Sequence, residues 1–109
     1  MKYVTKSEFE ERYPREDDGA EITTIYPCDL TVDRNTVIAG LVRGDVAVKS
    51  GVQAVITGVV KGSLSAEPDS LIFLMGIVEG DMKLDGNAFV TGLVKGRVSG
   101  SEDACLYVP

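Results

Sequence analysis

Carboxylates are the side chains of this sequence that most often lie close together and are able to do acid–base chemistry. Examples are the pairs Asp17/Asp18, Glu67/Asp69 and Glu102/Asp103. Two carboxylates can act as general acid and general base when their surroundings separate their pKa values. These pairs stand in hydrophilic loop segments, where acids are usually solvated, so we predict that they are surface groups without a catalytic role.

Two short segments carry oxygen donors of the kind that bind calcium, namely Asp33-Arg-Asn35 and Asp85-Gly-Asn87. Each lacks the further oxygen ligands that a calcium site requires, so we interpret both as turns. The two cysteines, Cys28 and Cys105, match no metal-binding spacing, and we expect reduced thiols in preference to a disulfide.

Other motifs that support catalysis or cofactor binding are missing from the sequence. The chain has no His, the commonest general base and metal ligand. It has no glycine-rich phosphate loop that ends in Lys-Ser or Lys-Thr. Arg43, Lys61 and Lys95 occupy equivalent positions, but Glu79 interrupts them and weakens any anion-binding stripe. We therefore predict no enzymatic activity, no cofactor and no metal.

The composition is that of one acidic domain of ordinary hydrophobicity. The chain has 109 residues, 44% of them hydrophobic, and a net charge of -6. This charge opposes binding to nucleic acid and to anionic lipid, since both need a basic surface. We see neither the pattern of a secretory signal nor an apolar run of about 18 residues that would span a membrane. We expect a cytoplasmic protein without a transmembrane segment.

A seven-residue phrase, present in four copies, must position whatever surface the protein uses. The copies are Ile38-Ala-Gly-Leu-Val-Arg-Gly44, Ile56-Thr-Gly-Val-Val-Lys-Gly62, Leu74-Met-Gly-Ile-Val-Glu-Gly80 and Val90-Thr-Gly-Leu-Val-Lys-Gly96. The first glycines, Gly40, Gly58, Gly76 and Gly92, are 18, 18 and 16 residues apart. A steady short period is typical of folds that stack one supersecondary unit on the next.

Within each unit the side chains alternate between apolar and polar, which is the period of a β-strand. The first unit places Ile38, Val42, Val46 and Val48 on one face, with glycines between them. Its other face carries Arg43, Asp45 and Lys49. The same pattern recurs in the next three units, so we expect like residues to stack in an apolar core.

Three other architectures compete with a parallel solenoid. A helical interpretation fails because each interior glycine costs a helix roughly 1 kcal/mol relative to Ala. An antiparallel meander is harder to exclude, although it normally needs turn pairs such as Asn-Gly between mirror-image strands. Hexapeptide-repeat acyltransferases share the coil size, but the six-residue period and the catalytic His are absent here. We predict an all-β, single-stranded parallel β-helix of about five turns.

The repeat extends beyond its glycines in both directions. Residues 22–32 align with residues 38–48 at an offset of 16, and Ala104-Cys-Leu106 aligns with Ala88-Phe-Val90, also at an offset of 16. The turns differ in length by two residues, and these differences fall at one corner. A change of two residues keeps the inward side chains of a strand pointing inward. We attribute to the glycines either a bend at a corner or a positive φ. Residues 21–109 are the predicted solenoid domain.

Residues 1–20 form a different kind of segment. Ser7-Glu-Phe-Glu10 has the form of a capping box, and it predicts a helix over residues 7–13 that ends before Pro14. Phe9 and Tyr13 then share one helical face. We expect a short cap that lays these two rings on the end or side of the solenoid, and the alternative is a solvated tail. A charged loop, residues 15–19, follows.

Two outward columns are apolar in every turn. The first is Ile25, Leu41, Val59, Ile77 and Leu93, and the second is Val37, Val55, Phe73, Phe89 and Cys105. The N-terminal segment or a corner of the coil would cover them in a purely structural interpretation. Otherwise an exposed apolar column marks an association surface. The C-terminal strand edge, with Leu106 and Val108, is a further association candidate, because an unblocked edge templates pairing.

The repeated phrase, aliphatic-x-Gly-x-Val-x-Gly-x-aliphatic, resembles that of the bactofilin family of bacterial, polymer-forming cytoskeletal proteins. Residues 38–48, 56–66, 74–84 and 90–100 carry the resemblance, with weaker extensions to Ile22 and Leu106. The resemblance implies a right-handed β-helical core, assembly without nucleotide and a scaffolding role. With few turns and an N-terminal cap, this chain would be a short form of the family.

We therefore expect a non-catalytic scaffold that self-associates through its β-helical body, as a homo-oligomer or a filament. The candidate contact residues are Ile25, Leu41, Val59, Ile77, Leu93, Leu106 and Val108. The alternative is a small acidic β-solenoid binding module that acts on a specific protein partner.

Overall fold

A computed structural model describes residues 1–14 and 19–109 of the chain. It is a parallel β-solenoid of about five turns with one short N-terminal helix, as the repeat predicts. Each turn supplies one strand to each of three sheets, and every pairing between neighbouring turns is parallel. The molecule measures 35 × 29 × 22 Å.

The sheets differ in length. Sheet 1 has seven strands and contains β1 (Lys2–Tyr3), β2 (Ala20–Ile22), β5 (Thr36–Ile38), β8 (Gln53–Ile56), β11 (Leu71–Leu74), β14 (Asn87–Val90) and β17 (Cys105–Tyr107). Sheet 2 has five and contains β3 (Ile25–Tyr26), β6 (Leu41–Val42), β9 (Val59–Val60), β12 (Ile77–Val78) and β15 (Leu93–Val94). Sheet 3 also has five and contains β4 (Leu30–Val32), β7 (Val46–Val48), β10 (Leu64–Ala66), β13 (Met82–Leu84) and β16 (Val98–Gly100). The single helix, α1, spans Lys6–Arg12.

Equivalent residues of successive turns lie directly over one another. Val42 pairs with Val60, Val60 with Val78, and Val78 with Val94. The first three of these valines are completely buried, whereas Val94 is half-buried because it belongs to the last complete turn. Stacked Val, Ile and Leu side chains from the three sheets form one continuous core. This confirms the predicted inward face for the turns before the last, whereas Val98 in the last complete turn is 38% exposed.

The repeat glycines are needed because neighbouring turns approach each other closely. A Cβ atom on Gly58 would overlap the carbonyl oxygen of Gly40, and one on Gly76 would overlap that of Gly58. Among the described residues, positive φ occurs at Gly19, Gly51 and Asp69. The expectation that the repeat glycines supply positive φ is therefore wrong, and the small size of glycine is what the stack requires.

The last turn has a different register from the one that the alignment predicts. Ala88 pairs with Leu106, and Phe89 pairs with Tyr107, so the offset is 18 and not 16. The backbone amide of Cys105 donates to Oδ1 of Asn87 at 3.2 Å, which ties the corner to this register. Tyr107 therefore replaces Cys105 as the last member of the second apolar column.

The helix begins earlier than the Ser7 motif predicts, because a second capping box overlaps it. Thr5 is the N-cap residue. The Glu8 amide donates to the Thr5 hydroxyl oxygen, and the Thr5 amide donates to the Glu8 carboxylate. This box also places Val4 just before the cap and Phe9 four residues after it, and both pack in one apolar cluster. That arrangement is a hydrophobic staple, which a cap at Ser7 would lack.

Candidate association surfaces

The two ends of the solenoid leave strand edges without a partner strand in the described part of the chain. At the N-terminal end, β2, β3 and β4 are the outermost strands of the three sheets. At the C-terminal end, sheets 2 and 3 stop at β15 and β16, whereas sheet 1 continues for two more strands. The amide and carbonyl groups of such edges are available to pair with another chain.

The C-terminal edge of sheet 1 is covered by the N-terminal strand. Lys2 and Tyr3 of β1 pair in parallel with Cys105 and Leu106 of β17. The expectation of a wholly unblocked C-terminal end is therefore wrong for this sheet, although it holds for the other two. Nothing in the sequence of β1 marks it as a strand, since two residues are too few to show alternation.

Large exposed hydrophobic side chains concentrate at the same two ends. Among residues 1–14 and 19–109 they are Tyr3, Ile25, Met75, Leu93, Val98 and Val108. Only Met75 lies away from the first turn, the last turn and the strands that follow it. The solvent-exposed apolar surface is therefore largely terminal.

The first apolar column follows this gradient. Ile25 is 54% exposed and Leu93 is 51% exposed, while the intervening members Leu41, Val59 and Ile77 are half-buried. Each central side chain is flanked by an equivalent residue above and below, and the terminal ones lack one neighbour. The helix of the N-terminal segment packs on the second apolar column through Phe9. The column therefore offers its largest apolar contacts at the ends.

The remaining two predicted contact residues, Leu106 and Val108, differ in how far they are buried. Leu106 is 2% exposed and belongs to the core. Val108 is 49% exposed. It lines a recess of about 320 Å³ together with Tyr3, Val94 and Val98, and Leu106 forms part of the recess wall. This recess lies beside the step that β17 and β1 form above sheets 2 and 3.

The second apolar column is covered by the N-terminal segment. Phe9 is completely buried and packs with Val55 and Phe73. Its ring centroid lies 5.4 Å from that of Phe89, which in turn stacks on Tyr107 at 4.7 Å. This confirms that residues 1–14 include a cap on the side of the solenoid, and it rules out the solvated tail. The acidic pair Asp17/Asp18 and most of the charged loop lie outside the described residues.

Tyr13 closes the helix end over a buried thiol. Its ring lies 4.9 Å from that of Phe9. Burial raises the pKa of the Tyr13 hydroxyl above its ordinary value of 10.0, and a hydrogen bond with Cys105 raises it further. Cys105 is buried and Cys28 is exposed, and both are free thiols. The two cysteines therefore do not pair with each other in the structure.

A ladder of side-chain oxygens runs along one corner, and the sequence reasoning missed it. In each rung, a backbone amide donates to the side-chain oxygen of the equivalent residue one turn earlier. The pairs are Asp45 to Asp29 at 2.8 Å, Ser63 to Asp45 at 2.8 Å, Asp81 to Ser63 at 3.1 Å and Arg97 to Asp81 at 2.9 Å. The sequence does contain a signal for this ladder. Three consecutive phrases have an Asp or Ser, each with a side-chain oxygen acceptor, directly after their second glycine. Arg97 ends the ladder because its side chain has no acceptor.

The charged outward positions are partly neutralised between turns. Lys61 Nζ lies 2.8 Å from Glu79 Oε2, and Lys49 Nζ lies 3.1 Å from Glu67 Oε2. The hydrogen bond with the lysine lowers the pKa of each glutamate below 4.5. Asn35 accepts from the amide of Gln53, as Asn87 does from Cys105, so both predicted turns use their amide groups structurally.

A groove lies between α1 and sheet 1. Its volume is about 490 Å³. The aromatic rings of Phe73, Phe89 and Tyr107 line it, and Lys6 and Glu10 of the helix lie at its side. Within residues 1–14 and 19–109, no three Cys, Asp or Glu side chains are arranged to hold a metal ion. No helix of those ranges is long and apolar enough to cross a membrane.

Comparisons of the chain with protein-family models, with curated proteins and with solved structures found no match. The resemblance to bactofilins consequently depends on the repeated phrase alone.

Proposed function

We propose that this protein is a non-catalytic bacterial scaffold of the cytoplasm that self-associates end to end through its β-helical body, in the bactofilin manner. The observation that supports the proposal best is the coincidence of two features. Unpaired strand edges and exposed apolar side chains occur at the same two ends of the solenoid. If the ends of two molecules joined, the strand edges would pair and the apolar side chains would be buried. Burial of the apolar side chains would supply affinity, and pairing of the strand edges would set the relative orientation of the two molecules.

Sedimentation velocity of charge-substituted proteins tests this proposal. Ile25→Asp places a charge at the N-terminal end, and Val108→Asp places one at the C-terminal end. Met75→Asp is the matched control, because Met75 is exposed but lies away from both ends. We expect the wild type and Met75→Asp to form oligomers as concentration rises, and each end variant to need a higher concentration. Equal association by all four proteins would contradict the role of the ends.

The groove between α1 and sheet 1 favours the second candidate, an acidic binding module for a protein partner. Met75 lines this groove together with Phe73 and Phe89. A binding module would stay monomeric at every concentration when pure, and Met75→Asp would weaken its complex with the partner while Ile25→Asp would not. The two candidates therefore assign opposite effects to the same pair of variants.

A further inference from the structure

The first thirteen residues, which we call the N-terminal strap, hold one end of the solenoid closed. The Lys2 amide donates to the Ala104 carbonyl at 2.7 Å, and the Val4 amide donates to the Leu106 carbonyl at 3.0 Å. These bonds make β1 the outermost strand of sheet 1. The strap thus occupies the backbone edge at which a further turn would otherwise continue the sheet.

The two parts of the strap are held very differently. The helix is anchored by Phe9, which is completely buried against the aromatic column. The strand has only two residues, and the side chain of Tyr3 is 71% exposed. Met1 and Val4 on either side of the strand pack on apolar clusters, but neither residue of β1 itself is buried, so the strand opens more readily than the core beneath it.

β1 also determines the shape of the C-terminal end. Because sheet 1 is two strands longer there than sheets 2 and 3, it projects by about 10 Å, at roughly 4.8 Å for each strand. Among the strands of the described ranges, the N-terminal end has no such step, because β2, β3 and β4 belong to one turn. A second copy that approaches with its even end meets β1 first and is kept away from β15 and β16. Removing β1 halves the step and frees the edge of β17.

We propose that the N-terminal strap is a self-inhibitory cap, and that its release converts the C-terminal end of the solenoid into an association surface for a second copy of this chain. The inference rests on the proposed function, since it describes how end-to-end association is regulated. The strap and the second copy compete for the same edge of β17. The fraction of molecules with an open strap therefore determines the concentration at which the protein assembles.

Paired proline substitutions test the strand directly. Proline has no amide hydrogen, so the double variant Lys2→Pro/Val4→Pro removes the two hydrogen bonds that these amides donate to the carbonyls of Ala104 and Leu106. Lys2→Ala/Val4→Ala is the matched control, because it loses the same two side chains, including the contact of Val4 with the Phe9 cluster, and keeps both backbone amides.

Cys105 supplies a readout of strap opening that does not depend on assembly. It pairs with Lys2 and lies buried beside Tyr13, so a thiol reagent reaches it only when the strap has moved. All proteins carry Cys28→Ser to remove the exposed thiol. Loss of two backbone hydrogen bonds raises the open fraction by about tenfold or more. We expect the proline double variant to label faster at Cys105 than Lys2→Ala/Val4→Ala does, and to assemble at a correspondingly lower concentration.

Phe9→Ala is a second variant that loosens the helix instead of the strand, and it must cause the same two changes. Adding Val108→Asp to the proline double variant must reverse its gain in assembly, which separates end-to-end association from general aggregation. Faster labelling without easier assembly, in variants that still unfold cooperatively, would overturn the cap while leaving the proposed function intact. Failure of every protein to assemble would remove both.

Discussion

The backbone amide of Asp45 donates a hydrogen bond of 2.8 Å to Oδ1 of Asp29, sixteen positions earlier in the chain. The same relationship links Ser63 to Asp45 and Arg97 to Asp81. The side-chain oxygens of the outward acids at this corner therefore hold neighbouring turns in register. Each one needs a glycine before the next member, since a Cβ atom on Gly62 would overlap the Asp45 carboxylate.

Replacing one ladder acceptor tests whether the oxygen or the charge matters. Asp45→Ala leaves the Ser63 amide without its partner, and we expect the free energy of unfolding to fall by about 0.5–1.5 kcal/mol. Asp45→Asn keeps an acceptor oxygen at the same position and should cost much less. Urea denaturation measures both. An equal loss for the two variants would show that charge, and not hydrogen bonding, gives this column its role.

Close approach between turns predicts a large penalty at the repeat glycines. In Gly58→Ala the new methyl group would overlap the Gly40 carbonyl oxygen, so neighbouring turns must separate. We expect a loss of about 3 kcal/mol or more. Gly51 is the control, because it has a φ of 76° but open space around it. Gly51→Ala should cost only about 1–2 kcal/mol, through its left-handed backbone. Similar losses in the two variants would contradict the steric explanation.

The hydroxyl of Ser70 is buried without a hydrogen-bond partner in the described part of the chain. A buried, unpaired hydroxyl destabilises a fold, so Ser70→Ala should raise the free energy of unfolding by about 1 kcal/mol. Ser65 is exposed on β10, and Ser65→Ala should change it by less than about 0.5 kcal/mol. Thermal unfolding followed by circular dichroism compares the two. A destabilised Ser70→Ala protein would mean that the hydroxyl does have a partner in solution.

The Lys61–Glu79 pair gives stability a defined pH dependence. The hydrogen bond with Lys61 lowers the pKa of Glu79 below 4.5, so the folded state favours the ionised carboxylate. The contribution is present above pH 4.5 and is lost as the pH falls through the lower pKa of the folded state. Lys61→Met should therefore be less stable than the wild type at neutral pH, and the difference should disappear in acid. A difference that stays constant with pH would point to the lysine stem and not to the charge.

The central part of the fold could be predicted from the sequence because its strongest signal is steric. Glycine recurs at the positions where neighbouring turns touch, and valine recurs at positions that face the core. The pairing of Val42 with Val60 therefore follows from the repeat. The last turn lacks the glycine phrase, and offsets of 16 and 18 both put apolar residues inside. The hydrogen bond between Asn87 and Cys105 favours 18, and it was not visible in the sequence pattern.

The N-terminal segment was only partly predictable for a similar reason. Two capping boxes overlap, and the choice of Thr5 depends on the contact that Val4 and Phe9 make once the helix has packed. The pairing of β1 with β17 joins the two ends of the chain and has no local signal. Among the predicted contact residues, Leu106 is buried by the same shift in register that places it over Ala88.

Static light scattering of the pure wild-type protein across a wide concentration range tests end-to-end association most directly. Self-association predicts an average mass that rises with concentration above the 11.6 kDa of one chain. A mass that stays at 11.6 kDa up to the highest concentration measured would contradict it.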